Sequence, residues 1–431
     1  MKILRISLLG IMLAIVCSGC AWLPTSEPPQ TPIPTDFPTS TPEPTLTPTA
    51  TPLPSVATLT LWVPGFLSPY EDATGAAIFH EQLAAFSLIQ PDIQVQIIVK
   101  KETGTGGLYN MLSTAYVAAP TVLPDVIILS EYDLQTATDA GYLQPLDATL
   151  VQTTDFFPFV RIADPAITTT YGVPFVIEAE QTAYRQNVAA TAPLSWTAVL
   201  TGNYSLLFPA APADELASDS VLAAYIGAGG ATSDENGKAK LDRAALEQVY
   251  RFVAEMVANN LIDVERISGL EDATACWELY QEGTGRMSVV PAGLFWIAPV
   301  EGTSPGWIPT PTGNPITIGH VWSMAMVSQD PYHQKAALKL LEWLTTPEQV
   351  ADLTRATHML PARFHAIELW DLLPEETAFL KQLLDGAVPS LPPSIDAPVR
   401  RALQAGLTAI LNADVETPEK AASYALNSLH P

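Results

Sequence analysis

The chain has 431 residues, 48 % of them hydrophobic, and sets 20 basic against 45 acidic side chains for a formal charge of −25. A surface of that sign repels phosphate backbones, which argues against nucleic acid as a partner, and the length is enough for two domains of ordinary size. Cys17, Cys20 and Cys276 are the only cysteines, too few for a disulfide framework.

Lys2 and Arg5 precede an apolar run from Ile6 to Cys17, too short and too N-terminal for a membrane span, and the segment reads as an export signal. Ser18 and Gly19 stand before Cys20 as a peptidase cutting ahead of that cysteine would require. The arrangement resembles a bacterial lipoprotein lipobox, with Cys17 where leucine is usual. Residues 1–19 are therefore expected to be a lipoprotein signal peptide and Cys20 the lipidation site. Pro24 to Ser55 is dominated by proline and threonine and has no apolar period, so it cannot bury enough surface to offset ordering entropy. Residues 20–55 read as a lipid-anchored linker, extended at about 3.1 Å per residue and reaching roughly 100 Å from the membrane.

From Val56 onward, "ATLTLWV" (57–63) predicts a strand, Ala76 to Leu88 a helix, and "DIQVQIIV" (92–99) an alternating strand. Gly107 to Ala118 predicts a second helix, and "DVIIL" (125–129) a strand buried on both faces. This βαβαβ order argues for a parallel sheet with ligand beyond the C-terminal strand ends. "GTGG" (104–107) follows the second strand, lacks the third glycine of a dinucleotide fingerprint and reads as a loop. Leu246, Val249, Val253, Met256 and Val257 form one helical stripe, and Ala337, Leu340, Leu341 and Leu344 another; both read as core. Cys276, alone in "ATACWELY", reads as a small buried hydrophobe.

The sequence contains no HExxH, GxSxG or P-loop motif, and its six histidines show no metal-ligand spacing, so no cofactor or metal is expected. Aromatic and carboxylate residues recur instead at strand ends: Phe66 and Tyr70, Glu131 and Tyr132 with Asp133, Glu178, Phe295 and Trp296, and Trp322. Aromatic faces take the C–H side of a pyranose and carboxylates accept its hydroxyls, so the pattern points to a sugar.

"YGVPFVIEAEQTAYRQN" (171–187) with "PLSWTAVL" (193–200), "WELYQEGTGRMSVVPAGLFW" (277–296) and "SQDPYHQKAALKLLEWLTTPEQVADLTRATHMLPAR" (328–363) resemble successive segments of the family 1 extracellular solute-binding proteins, the maltose-binding type of ABC-importer lipoprotein. The resemblance implies an α/β periplasmic-binding-protein-like (type II) fold, a two-lobe venus-flytrap with discontinuous lobes. These would be residues 56–174 plus 309–327 and residues 178–306 plus 331–431, with crossings near Val176 to Glu178 and Ser323 to Gln329. It implies an exported, monomeric, non-enzymatic protein that binds a mono- or oligosaccharide between its lobes and delivers it to ABC permease subunits. Carried over, Glu178 falls at the hinge glutamate, Glu131 and Tyr132 in a ligand-contacting loop, and Phe295 and Trp296 near a stacking aromatic, while Gly293 stands at the ungapped position of that aromatic. The residues leave open a polyamine or peptide ligand, a sensor input, and a glycoside hydrolase using two of Glu131, Glu178 and Asp133.

Overall fold

The computed structural model describes residues 56–429 apart from positions 71 and 165. The signal segment, Cys20 and the Pro/Thr tract lie outside the described residues.

β1 (Ala57–Val63), β2 (Ile93–Val99) and β3 (Val126–Ser130) carry the apolar runs expected of them, and Leu59, Leu61 and Val126 to Leu129 are buried. α1 (Ala73–Ile89) starts where the Asp72 carboxylate accepts the Thr74 and Gly75 amides, satisfying two otherwise orphaned donors. α2 (Leu108–Ala118) follows a loop in which Gly104 and Gly106 take positive φ, so the glycine cluster is a turn as expected. β1 pairs in parallel with both β2 and β3. α3 (Glu131–Asp139) begins directly at the end of β3, with the Ser130 hydroxyl accepting the Asp133 amide.

The second half adds β4 (Val173–Arg185), β5 (Leu206–Leu207), β6 (Met287–Pro291), β7 (Thr303–Gly306) and β8 (Thr317–Met326). The strands follow the order β2-β1-β3-β8-β4-β6-β5, with β7 also against β4. β4 joins the two lobes: its Val173–Ala179 stretch lies antiparallel to β8, and from Glu180 it pairs antiparallel with β6. The exchange of partners therefore falls between Ala179 and Glu180.

Around the second half of the sheet lie α4 (Asp219–Gly227), α5 (Arg243–Ala258), α6 (Ala273–Gln281) and α7 (Ala292–Ile297). The stripe of α5 buries Leu246, Val249, Val253 and Met256, and Tyr225, Tyr250, Trp277 and Tyr280 are fully buried beside it. Cys276 is buried, and desolvation pushes its thiol pKa up, as befits an inert packing residue.

Two boundaries differ from the sequence reading. α8 (Pro331–Leu344) and α9 (Pro347–Thr357), expected in the C-terminal lobe, pack on β1 and α1 of the first lobe. His333 Nδ1 lies 2.8 Å from Asp125, Lys339 donates to Gln90, and Gln82 donates to the Gln349 carbonyl. The stripe Ala337, Leu340, Leu341 and Leu344 is buried as expected, but on the first sheet half. Ser323 to Met326 likewise stays paired with β3, and the Val327 amide donates to the Asp125 carbonyl, so this stretch is not a crossing. The chain returns toward the second lobe later, where Ala387–Pro389 pairs with β8, and α10 (Pro393–Leu411) packs on α5 and on α11 (Pro418–Leu429). Among the described residues no helix is long and apolar enough to cross a membrane.

Candidate functional site

Side chains two apart on a strand share a face. On β4 that rule brings Glu178 and Glu180 together, and on β8 it brings His320 and Trp322 together. The register sets Glu178 opposite His320. Trp322 is 6 % exposed, packed edge-on against Phe66 with ring centroids 5.4 Å apart, and its indole N–H donates to Glu178 Oε1 at 2.6 Å. Glu178 itself is exposed, with its carboxylate held through Oε1 by a fixed donor.

Two cavities meet at this point, sharing Glu178 and His320. One, of about 420 Å³, is lined by the first turn of α3 (Glu131, Tyr132, Asp133), by Val321 and Trp322, and by Ser390, Leu391 and Asp396. The other, of about 520 Å³, runs along Ile177 to Glu180 and is closed by Asp219, Asp272, Gly293 and the Thr357 to Met359 turn. Glu131, Tyr132 and Ser390 also open onto a third space of about 600 Å³. Ser390 Oγ donates to Glu131 Oε2 at 2.8 Å and so ties the first lobe to the segment that returns across the cleft.

The electrostatics of the wall follow from burial. Glu131 is raised above the ordinary carboxylate range by desolvation, which outweighs the Ser390 hydrogen bond. Asp133 is pushed up to about 6 by the same cause, and Tyr132 to about 12 by burial and the nearby Asp396 and Asp133 charges. Glu180 is pushed up to about 8, by burial first and by the Asp219 charge second. Burial alone would raise Asp219, but His320 and Arg400 outweigh it and hold that carboxyl well below its usual range. The contacts are His320 Nε2 to Asp219 at 2.8 Å, Arg400 Nη2 to Asp219 at 2.5 Å and Arg400 Nε to Asp396 at 2.6 Å. His320 is disfavoured as a cation by burial, yet Asp219 carries it up to about 9.

These shifts carry a sign. Glu180 and His320 bind protons more tightly folded than unfolded, so their contribution is present at low pH and lost on alkalinisation, between 4.5 and about 8 for Glu180 and between 6.5 and about 9 for His320. Asp219 acts oppositely: its contribution is present above 3.8 and lost below it. Urea midpoints should therefore be highest at about pH 4 to 4.5, fall above that as Glu180 ionises, and fall further from pH 6.5 to 9 as His320 loses its proton. A midpoint that stays level or rises from pH 6.5 to 9 would contradict the network.

Of the residues singled out in the sequence, the structure brings Glu131, Tyr132, Glu178 and Trp322 to one cavity, with Phe66 packed behind Trp322. Tyr70 is 97 % exposed and lines none of these spaces. Phe295 and Trp296 need correction: both are buried in the second lobe, Phe295 against Trp277 at 5.8 Å and Trp296 with its indole N–H donating to Gln181 at 3.0 Å. α7 starts at Ala292 and turns those two rings inward, leaving Gly293 and Leu294 toward the cavity. No side chain fits at Gly293, because a Cβ there would strike the His358 carbonyl. Glu180, Asp219, His320, Ser390 and Asp396 belong to the same walls, with Arg400 behind Asp219 and Asp396, and none of the six is among the residues the sequence pointed to.

A profile of bacterial extracellular solute-binding proteins matches residues 84–372, more than half of the chain. The chain belongs to that family. Solved structures share the solute-binding fold: maltose-bound MalE3 of T. maritima at 19 % identity, covering 86 % of this chain and 99 % of that one with a TM-score of 0.65. A family 1 extracellular solute-binding protein of Alicyclobacillus acidocaldarius has 16 % identity, coverage of 87 % and 98 %, and a TM-score of 0.66. A cyclic α-maltosyl-1,6-maltose-binding protein of Arthrobacter globiformis has 16 % identity, coverage of 86 % and 98 %, and a TM-score of 0.64. No curated protein sequence matches. In this solute-binding protein the cleft just described is where the two lobes meet, at the partner exchange of β4.

Proposed function

We propose that this solute-binding protein is the lipid-anchored carbohydrate receptor of an ABC importer, taking up a mono- or oligosaccharide between its lobes and presenting it to permease subunits without turning it over. The observation that carries the reading is the Trp322–Glu178 pair at the partner exchange, an aromatic edge and an oriented acceptor in one cavity with Glu131 and Tyr132 opposite. Glu178 and Glu131 accept sugar hydroxyls, and Trp322 with Phe66 behind it supplies the apolar face. Three neighbours whose descriptions name maltose or a maltosyl saccharide as ligand lend weight to sugar over other solutes.

A thermal-shift screen over saccharides, amino acids and polyamines tests this, since a ligand that binds only the folded state stabilises it by RT ln(1 + [L]/Kd). A saccharide should raise the melting temperature and be recovered unchanged. A shift with amino acids or polyamines alone, or hydrolysis of the bound saccharide, would contradict the reading. Cys20→Ala should leave unprocessed precursor or release the protein from membranes; mature membrane-bound protein with an unmodified N-terminus would remove the anchor.

A further inference from the structure

We propose that the solute carries a protonated amine and that this amine docks on Glu180, so that the ligand is an aminated saccharide. The inference rests on the carbohydrate reading above and narrows it.

Among the described residues no lysine or arginine lines either cavity, whereas Glu131, Asp133, Glu178, Glu180 and Asp272 do. The two cations nearby are already engaged: Arg400 bridges Asp219 and Asp396 from behind, and His320 is bound to Asp219. Glu131 is held by Ser390, Glu178 by Trp322, and Asp272 by the Ala275 amide at the start of α6. Glu180 is different. Its carboxylate faces the Ser220 amide, but Oε2 is buried with no hydrogen-bond partner among the described residues, at the wall of the larger cavity. A buried acceptor left unmade is costly, and one carried by a residue that lines a ligand cavity is explained by a donor that arrives with the ligand and reaches it there.

The groups around Glu180 decide what that donor is. Asp219 on α4 is anionic, His320 on β8 and Arg400 on α10 are cationic but paired, and the Cys276 thiol on α6 is neutral. With Asp219 beside it and burial around it, Glu180 holds a proton near pH 7 in the free protein. An arriving ammonium replaces that proton: the carboxyl releases H⁺ to solvent and its anion accepts from R–NH₃⁺, with no change in the ligand's own protonation. A neutral hydroxyl supplies no charge to drive the release. Amine binding is therefore linked to loss of about one proton at pH 7, and neutral-sugar binding is not.

Calorimetry at pH 7, in two buffers of different protonation enthalpy, should compare the β-1,4-linked glucosamine disaccharide, its N-acetylated counterpart, maltose and spermidine. The glucosamine disaccharide should bind at least about tenfold more tightly than either neutral saccharide, the scale of a charge-assisted hydrogen bond, with proton release. Glu180→Gln should weaken it by a similar factor and abolish the release, with the melting temperature of the variant checked separately; the wild-type proton count does not depend on how the variant folds. Equal or tighter binding of a neutral saccharide, or no binding of the glucosamine disaccharide at millimolar concentration, would overturn the inference while a bound neutral sugar keeps the carbohydrate reading. Binding of spermidine with no saccharide bound would overturn both.

Discussion

Trp322→Ala should lower folding stability by about 3 to 5 kcal/mol, the range for truncating a large buried aromatic. The indole is 6 % exposed, sits on β8 between β3 and β4, and meets Phe66 edge-on. Its removal opens a hole in the middle of the sheet and deprives Glu178 of the donor that orients it. The sequence names this residue as a strand-end aromatic facing a sugar; in the structure it is packed in the core and also lines the cavity beside Glu178. Stability and affinity should therefore fall together in Trp322→Ala. Glu178→Gln, at an exposed position, should leave the denaturant midpoint nearly unchanged and weaken ligand, since a hydrogen bond to a charged group is worth about 1.5 to 3 kcal/mol. A stability loss under about 1 kcal/mol for Trp322→Ala would show that the ring is not packed as described.

Arg400→Met should be comparably damaging. The Arg400 side chain is 7 % exposed and bonds three partners, Asp219, Asp396 and the Ala217 carbonyl at 3.0 Å. Removing one member of a buried ion group leaves uncompensated charge, which typically costs about 3 to 5 kcal/mol. Here it would strand Asp396 and leave Asp219 only His320, next to a Glu180 that already resists ionisation. The urea midpoint at pH 6 reads the loss, and Arg400→Met combined with Asp396→Asn should recover part of it. A single variant as stable as wild type would mean that solvent, and not Arg400, neutralises these carboxylates.

Much of the first lobe is legible in the chain because its signals are local. β1, β2, β3 and the helices between them show their periods within a dozen residues each, and parallel order follows from alternation of strand and helix. The lobe boundaries are less legible for a physical reason. The stripe Ala337, Leu340, Leu341 and Leu344 says that α8 buries one face, but it is silent on which sheet half receives it, so α8 and α9 were expected on the wrong lobe. The same limit applies at the site. Glu178 and Trp322 can be found from strand ends, and Glu180 and His320 could have been added from the two-residue period. Asp396 and Arg400 carry an i, i+4 spacing that suggests a pair on a helix face. Nothing local links them to Asp219, far away in sequence, or turns Phe295 and Trp296 inward at the start of α7.

Closure of the two lobes on a saccharide at the partner exchange of β4 is most directly tested by small-angle scattering of the protein without ligand and saturated with a saccharide that the thermal-shift screen identifies. The radius of gyration should fall on saturation, as expected for hinged lobes that close over a bound solute, and Glu178→Gln should need more ligand to reach the same value. A radius unchanged at saturation would contradict a cleft that closes around its ligand.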